Sequence, residues 1–185
     1  GHTCVVYGPL LNGATTLIYE GLPSSPRPGR WWEIVQRNRV TSLFTAPTAI
    51  RALMREGDDF PRQFDLSSLR ALGTAGEPIS ADAWLWFYEV VGRGKALVLD
   101  TWWQTETAGI MLGPVPGATP LKPGSATRPL PSLQAVLTDE KGNIFEGPGE
   151  GCLCFTRSWP GQARTIWQGH ERFIQTYFTF ASGMY

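Results

Sequence analysis

Residues 67–107 read SSLRALGTAGEPISADAWLWFYEVVGRGKALVLDTWWQTET, and the fold of the chain turns on how this stretch divides. The segment SSLRALGTAGEP (67–78) reads as a strand running into a Gly-rich turn. SADAWLWFYEVVG (80–92) reads as a helix, with Ser80 as the side-chain cap of its first turn and Gly92 as its end. KALVLDTWW (95–103) reads as a second strand. A strand, a helix and a strand in immediate succession make the repeating unit of a parallel sheet covered by helices. Such sheets bind ligands where loops leave the carboxyl ends of the strands. Two loops here qualify: GTAGEP (73–78) and DTWWQTET (100–107).

The same alternation extends upstream. GHTCVVYGPLLNG (1–13) reads as a short apolar helix ended by Gly13, and ATTLIYE (14–20) as a β-rich run. LPSSPRPGR (22–30) is a loop with three prolines. RWWEIVQRNR (30–39) reads as a helix with basic residues at its C-terminal end, VTSLFTAP (40–47) as a strand stopped by Pro47. TAIRALMREG (48–57) restarts a helix, with Thr48 as its expected N-cap and Gly57 as its stop. At Gly113 the composition shifts to a Pro- and Gly-dense, aperiodic stretch, and then to short strands joined by turns, DEKGN (139–143) being a hairpin turn with Gly142 at a positive φ. The expected architecture is therefore α/β. A mostly parallel sheet with flanking helices occupies residues 1–112, and a smaller β-rich, barrel-like subdomain occupies residues 113–185.

Composition narrows the function. Sixteen basic residues balance sixteen acidic ones among 185, which gives no electrostatic footprint for nucleic acid. No apolar run approaches the ~18 residues of a membrane span. The three cysteines, Cys4, Cys152 and Cys154, form no disulfide framework and read as reduced thiols of a cytoplasmic protein, with Cys152 and Cys154 as small, half-buried apolar side chains. The start lacks a basic leader, and with Gly in first place and FASGMY at the end, both termini read as cut from a longer chain.

The two strand-end loops carry the chemistry. Gly76 allows a flat ligand to come close to the backbone, Glu77 offers a hydrogen-bond acceptor and Pro78 stiffens the exit. Asp100 sits at a strand end. Gln104 and Thr105 can donate to phosphate oxygens, and Glu106 is a hard oxygen ligand suited to a Mg²⁺ that bridges phosphates. Trp102 and Trp103 supply flat apolar walls. By themselves these segments also fit a structural turn and two core tryptophans.

Taken with YGPLLNGATTLIYEG (7–21), TAPTAIRALMREG (45–57), GEPIS followed by DAW (76–84), LKPGSATRPLP (121–131) and WPGQARTI followed by ERF (159–173), the loop DTWWQTET resembles the AMP-forming acetyl-coenzyme A synthetases of the adenylate-forming superfamily. The resemblance runs nearly end to end. It implies part of the large N-terminal domain of such an enzyme, with ATP, Mg²⁺, coenzyme A and a short carboxylate as its small-molecule partners. It implies an ATP/AMP site at Gly76, Glu77, Pro78, Asp100, Thr101, Trp102, Trp103, Gln104 and Thr105, and a metal role for Glu106. It further implies an acyl pocket at Ala75 and Trp103, the indole keeping that pocket short, and coenzyme A contacts at Ser24 and Ala46. The catalytic lysine, the phosphate loop and the ribose-binding aspartate of the family are implied to lie outside these 185 residues, so no catalytic residue is assigned within them.

Three positions depart from the family pattern. Ala75 stands where a valine is usual, Ser24 where an asparagine is frequent, and Gly169 where an aspartate is common. Alanine leaves a roomier acyl pocket, which points to propionate as an alternative substrate; a degenerate, non-catalytic nucleotide-binding relative is the other alternative. The resemblance implies that the 185-residue chain alone releases no pyrophosphate from ATP and acetate. A coupled pyrophosphate assay checks this, and turnover above background would contradict it.

Overall fold

The computed structural model describes residues 2–185. The side chain of Cys4, and Gly1 with the start of the first expected helix, lie outside the described residues. By contact the chain forms two compact units: one of residues 1–103 and 112–128, the other of 104–111 and 129–185. The compositional break at Gly113 lies within this interleaved stretch.

In the first unit a π-helical turn, His2–Tyr7, leads into α1 (Gly8–Leu11). Then follow α2 (Arg30–Asn38), β1 (Ser42–Thr45), α3 (Pro47–Glu56), α4 (Asp59–Arg62), β2 (Ala71–Thr74), α5 (Ala81–Trp86) with a π-helical continuation Phe87–Val91, and β3 (Leu97–Asp100). The three strands form one parallel sheet in the order β1-β2-β3. Their register aligns Leu43, Leu72 and Val98 in one row and Thr45, Thr74 and Asp100 in the next but one. Alternation along a strand puts those two rows on the same face. That face meets Trp32 and Val35 of α2, Ile50 and Leu53 of α3, and Trp84, Trp86, Phe87, Val90 and Val91 of the α5 region in a single apolar cluster. The spacing explains the helices: Trp32 and Val35, and Ile50 and Leu53, are three residues apart and so share a side. Gly73 sits in the opposite row, where a β-carbon would collide with the Phe44 ring.

The expected cap of the α5 helix is present: the Ser80 hydroxyl accepts the Ala83 N–H at 3.4 Å, and Gly92 closes its π-helical continuation. Two expectations need correction. Thr48 is not the N-cap of α3, because the helix begins one residue earlier, at Pro47, whose fixed φ suits the first helical position. ATTLIYE (14–20) joins no strand among the described residues, and Leu17 and Ile18 remain 45% and 73% exposed. A β-rich segment becomes a strand only beside a partner edge.

In the second unit a 3₁₀ turn, Thr105–Thr107, precedes β4 (Ala135–Thr138), β5 (Cys152–Phe155) and α6 (His170–Tyr177). β4 and β5 pair antiparallel, giving a two-stranded sheet where a barrel-like subdomain was expected. Gly142, at φ 81°, makes the expected turn after β4, and the Asp139 carboxylate accepts the N–H groups of Lys141 and Asn143 at 2.8 and 2.9 Å. The two cysteines of β5 differ: Cys154 is buried against Thr138, whereas Cys152 is exposed at the strand's start. Among the described residues no helix is long and apolar enough to cross a membrane.

Ile50 and Leu72 are both fully buried. Truncating either to alanine is expected to lower the unfolding free energy by about 2–5 kcal/mol, measured by chemical denaturation.

Candidate active site

In the first unit the carboxyl ends of the three strands are tied together through Thr74. Its hydroxyl donates to the Asp100 carboxylate at 2.8 Å, and its carbonyl accepts both the Thr101 N–H at 2.9 Å and the Thr101 hydroxyl at 2.8 Å. On the other side the Ala75 N–H donates to the Thr45 carbonyl at 3.3 Å. The ladder thus runs one residue past the strands, and Ala75 and Thr101 emerge at defined positions. Asp100 is only 7% exposed. Burial pushes its carboxyl above the usual value, against the opposing pull of the Thr74 hydroxyl and the Thr101 N–H. A carboxylate raised in the folded state favours its neutral form, so its charge costs stability above the folded pKa. Asp100→Asn is expected to leave the thermal midpoint at pH 7 unchanged or raised, and any gain over wild type should fade as the pH falls through the carboxylate range; a calorimetric pH series measures both.

The loop after β2 is shaped by Gly76 and Glu77. Gly76 adopts φ 98°, a left-handed conformation that glycine tolerates, and the space where a β-carbon would point is open. It is exposed, as is Pro78, whereas Ala75 is buried. The Glu77 carboxylate reaches the start of α3: one oxygen accepts the Thr48 N–H at 2.6 Å and the Thr48 hydroxyl, and the other accepts from the Arg51 guanidinium at 2.9 Å. Ala46, the N-cap residue of α3, has no acceptor of its own, so Glu77 caps that helix from a different loop and sits at the favourable end of its dipole. The hydrogen bonds from the Thr48 hydroxyl and the Arg51 guanidinium hold the Glu77 carboxyl below its ordinary value. A depressed carboxylate pKa gives stability that is present above the unfolded pKa and lost as the pH falls through the folded one. Glu77→Gln should therefore be less stable than wild type at pH 7, with the gap closing below the carboxylate range.

Two further site candidates flank this corner. Ala46 is exposed at the end of β1. Ser24 is half-buried in a turn closed by the Ser25 N–H on the Leu22 carbonyl at 3.1 Å, with Pro23 ahead of it. After Asp100, Trp102 pairs through its backbone with Leu112, at 2.9 and 3.1 Å. Trp103 is half-buried with its indole tilted against Phe44, ring centroids 5.6 Å apart.

The remaining candidates belong to the second unit. Gln104 and Thr107 cap the 3₁₀ turn reciprocally, the Gln104 N–H donating to the Thr107 hydroxyl at 3.1 Å. The backbone of the turn is clamped: the Trp159 indole N–H donates to the Thr107 carbonyl at 2.9 Å and the Ala163 N–H to the Glu106 carbonyl at 2.8 Å. The Gln104 side-chain oxygen accepts the Tyr185 hydroxyl at 2.8 Å. Gln104 and Thr105 are exposed and Glu106 half-buried. Among the described residues no group of three or more His, Cys, Asp or Glu could hold a metal ion by itself. A lone carboxylate at Glu106 fits Mg²⁺ only where phosphate oxygens supply most of the shell. Thr48, Arg51, Thr74, Trp159 and Tyr185 were not anticipated as partners. The Arg51–Glu77 pair spans 26 residues and Tyr185–Gln104 spans 81, separations at which a single sequence carries no signal.

The first unit is thus a parallel α/β scaffold with a cluster of polar residues at its strand ends. Residues 1–167 match the family of AMP-binding enzymes, and the chain belongs to that family. Over all 185 residues it is 56% identical to the acetyl-coenzyme A synthetase of Sinorhizobium fredii, 57% to that of Sinorhizobium medicae and 55% to that of Caulobacter vibrioides. It spans 28%, 28% and 29% of the length of these relatives. A solved acetoacetyl-CoA synthetase from Streptomyces lividans superposes on 98% of the chain, and 28% of its own, with a TM-score of 0.86 at 25% identity.

Proposed function

We infer that the longer protein carrying this segment is an AMP-forming acetate–CoA ligase. The reading rests on one observation above others: the match to acetyl-coenzyme A synthetases, at 55–57% identity, covers the full length of the chain. In the reaction, an acetate oxygen attacks the α-phosphate of ATP, pyrophosphate leaves, and the thiol of coenzyme A then displaces AMP from acetyl-adenylate. The first step joins two anions, so its catalysis is positioning and charge neutralisation.

The residues have matching roles in this reading. The open backbone at Gly76 and Pro78 takes the flat adenine, with Glu77 fixing the loop rather than reaching the ligand. Asp100, Thr101 and the two indoles continue the nucleotide wall. Thr105 and Gln104 donate to phosphate oxygens, and Glu106 is the protein's ligand to a Mg²⁺ whose charge offsets that of the phosphates. Ser24 and Ala46 face coenzyme A. The small-molecule partners are therefore acetate, ATP and coenzyme A, in a cytoplasmic enzyme.

Acetate-dependent exchange of pyrophosphate into ATP by the full-length protein tests this, and no exchange would overturn it. Thr105→Ala should lower kcat/KM for ATP about tenfold, the factor for one hydrogen bond to a charged group. Asp100→Asn should lower adenylate formation without loss of the fold.

Ala75 raises propionate as an alternative substrate, which the matches to acetyl-coenzyme A synthetases do not favour. Ala75 is buried at the end of β2 and lacks the two methyl groups of the usual valine. Each methylene in an apolar pocket discriminates by ~1–3 kcal/mol. Ala75→Val should raise the acetate-to-propionate ratio of kcat/KM about tenfold or more; an unchanged ratio excludes the alternative.

A further inference from the structure

Tyr185 is held on four sides within the second unit. Its backbone pairs with Phe155, the last residue of β5, at 2.8 and 3.1 Å. Its ring lies flat on Tyr177 of α6, centroids 5.2 Å apart and planes 3° from parallel. The edges of Trp159 and Phe178 close on it at 5.1 and 5.7 Å. Its hydroxyl donates to the side-chain oxygen of Gln104 at 2.8 Å. A primary amide has one acceptor oxygen and two N–H donors. With the oxygen engaged, the nitrogen end of Gln104 is turned away from Tyr185 and both donors are available to an anion. The same Trp159 that packs on Tyr185 also fixes the backbone beside Gln104 through Thr107.

We propose that Tyr185 is a positioning residue for ATP: stacked on Tyr177, it fixes the Gln104 amide so that its N–H donors meet the phosphates. A tyrosine phenol is protonated at neutral pH, so the Tyr185 hydroxyl keeps the proton it donates to Gln104. The two stacked rings thus stand behind Gln104, which the ligase reading assigns to phosphate, and the proposal rests on that reading.

The experiment is a double-mutant cycle in the full-length protein, with steady-state kinetics for ATP and thermal melting on every variant. Tyr185→Phe keeps the ring contacts and removes the hydroxyl. It should raise KM for ATP about fivefold, the factor one ordinary hydrogen bond represents, with the thermal midpoint nearly unchanged. Gln104→Ala should raise KM for ATP about tenfold. The double variant should match Gln104→Ala within about twofold, because Tyr185 acts through Gln104. Tyr185→Leu removes the packing as well and should lower the midpoint, which separates ring from hydroxyl. Independent, multiplying effects of the two single changes would overturn the proposal. So would a Tyr185→Phe variant with a lowered midpoint and unaltered KM. If Gln104→Ala leaves ATP use untouched, the assignment of Gln104 to phosphate fails, and with it the role given to Tyr185.

Discussion

The buried hydrogen bond from Thr74 to Asp100 is the constraint on which the site in the first unit is built. A carboxylate at the inner end of a parallel strand is unfavourable unless something satisfies it. Thr74, fully buried on the neighbouring strand, does so with its hydroxyl while its carbonyl holds Thr101. Register makes this possible, since Thr74 and Asp100 are direct partners across the β2–β3 ladder. A slip of β3 by one residue would send Asp100 to the other face, away from Thr74. Leu72 and Val98, two residues before them on the same face, are among the most buried side chains in the core. Apolar packing therefore sets the register, and the register delivers the polar pair to the strand ends.

A second tie locks the loop after β2. Glu77 reads in the sequence as a residue waiting for a ligand, yet its carboxylate caps α3 through Thr48 and pairs with Arg51. The helix needs that help because Ala46 and Pro47 bring no side-chain acceptor to its start. The loop is in turn held at a fixed distance from the helix, leaving the backbone at Gly76 as the open surface. A polar residue in a strand-end loop is thus as useful for pinning the loop as for touching what binds beside it.

Much of the first unit was legible in advance because its signals are local. Ser80 and Gly92 bound their helix where composition placed them, and Leu97–Asp100 forms the strand that the apolar run announced. The failures also have local causes. Threonine is a good cap, but Pro47 fits the first helical position, so α3 starts upstream of Thr48. ATTLIYE carries strand propensity without a partner edge among the described residues. In the second unit the assembly around Tyr185 was not legible, since Gln104 and the rings of Phe155, Trp159, Tyr177 and Phe178 come together only in the tertiary fold.

The backbone pairing of Trp102 with Leu112 has a consequence for modularity. It closes residues 104–111 into a loop whose two ends belong to the first unit while its body belongs to the second. The chain therefore crosses between units three times, after residues 103, 111 and 128. Excising the second unit would take cuts at all three crossings and would leave it in two separate pieces. Neither unit can then be exchanged as one contiguous cassette, and recombination that shuffles whole segments must carry residues 104–111 along with residues 129–185 or lose Gln104 from the grip of Tyr185.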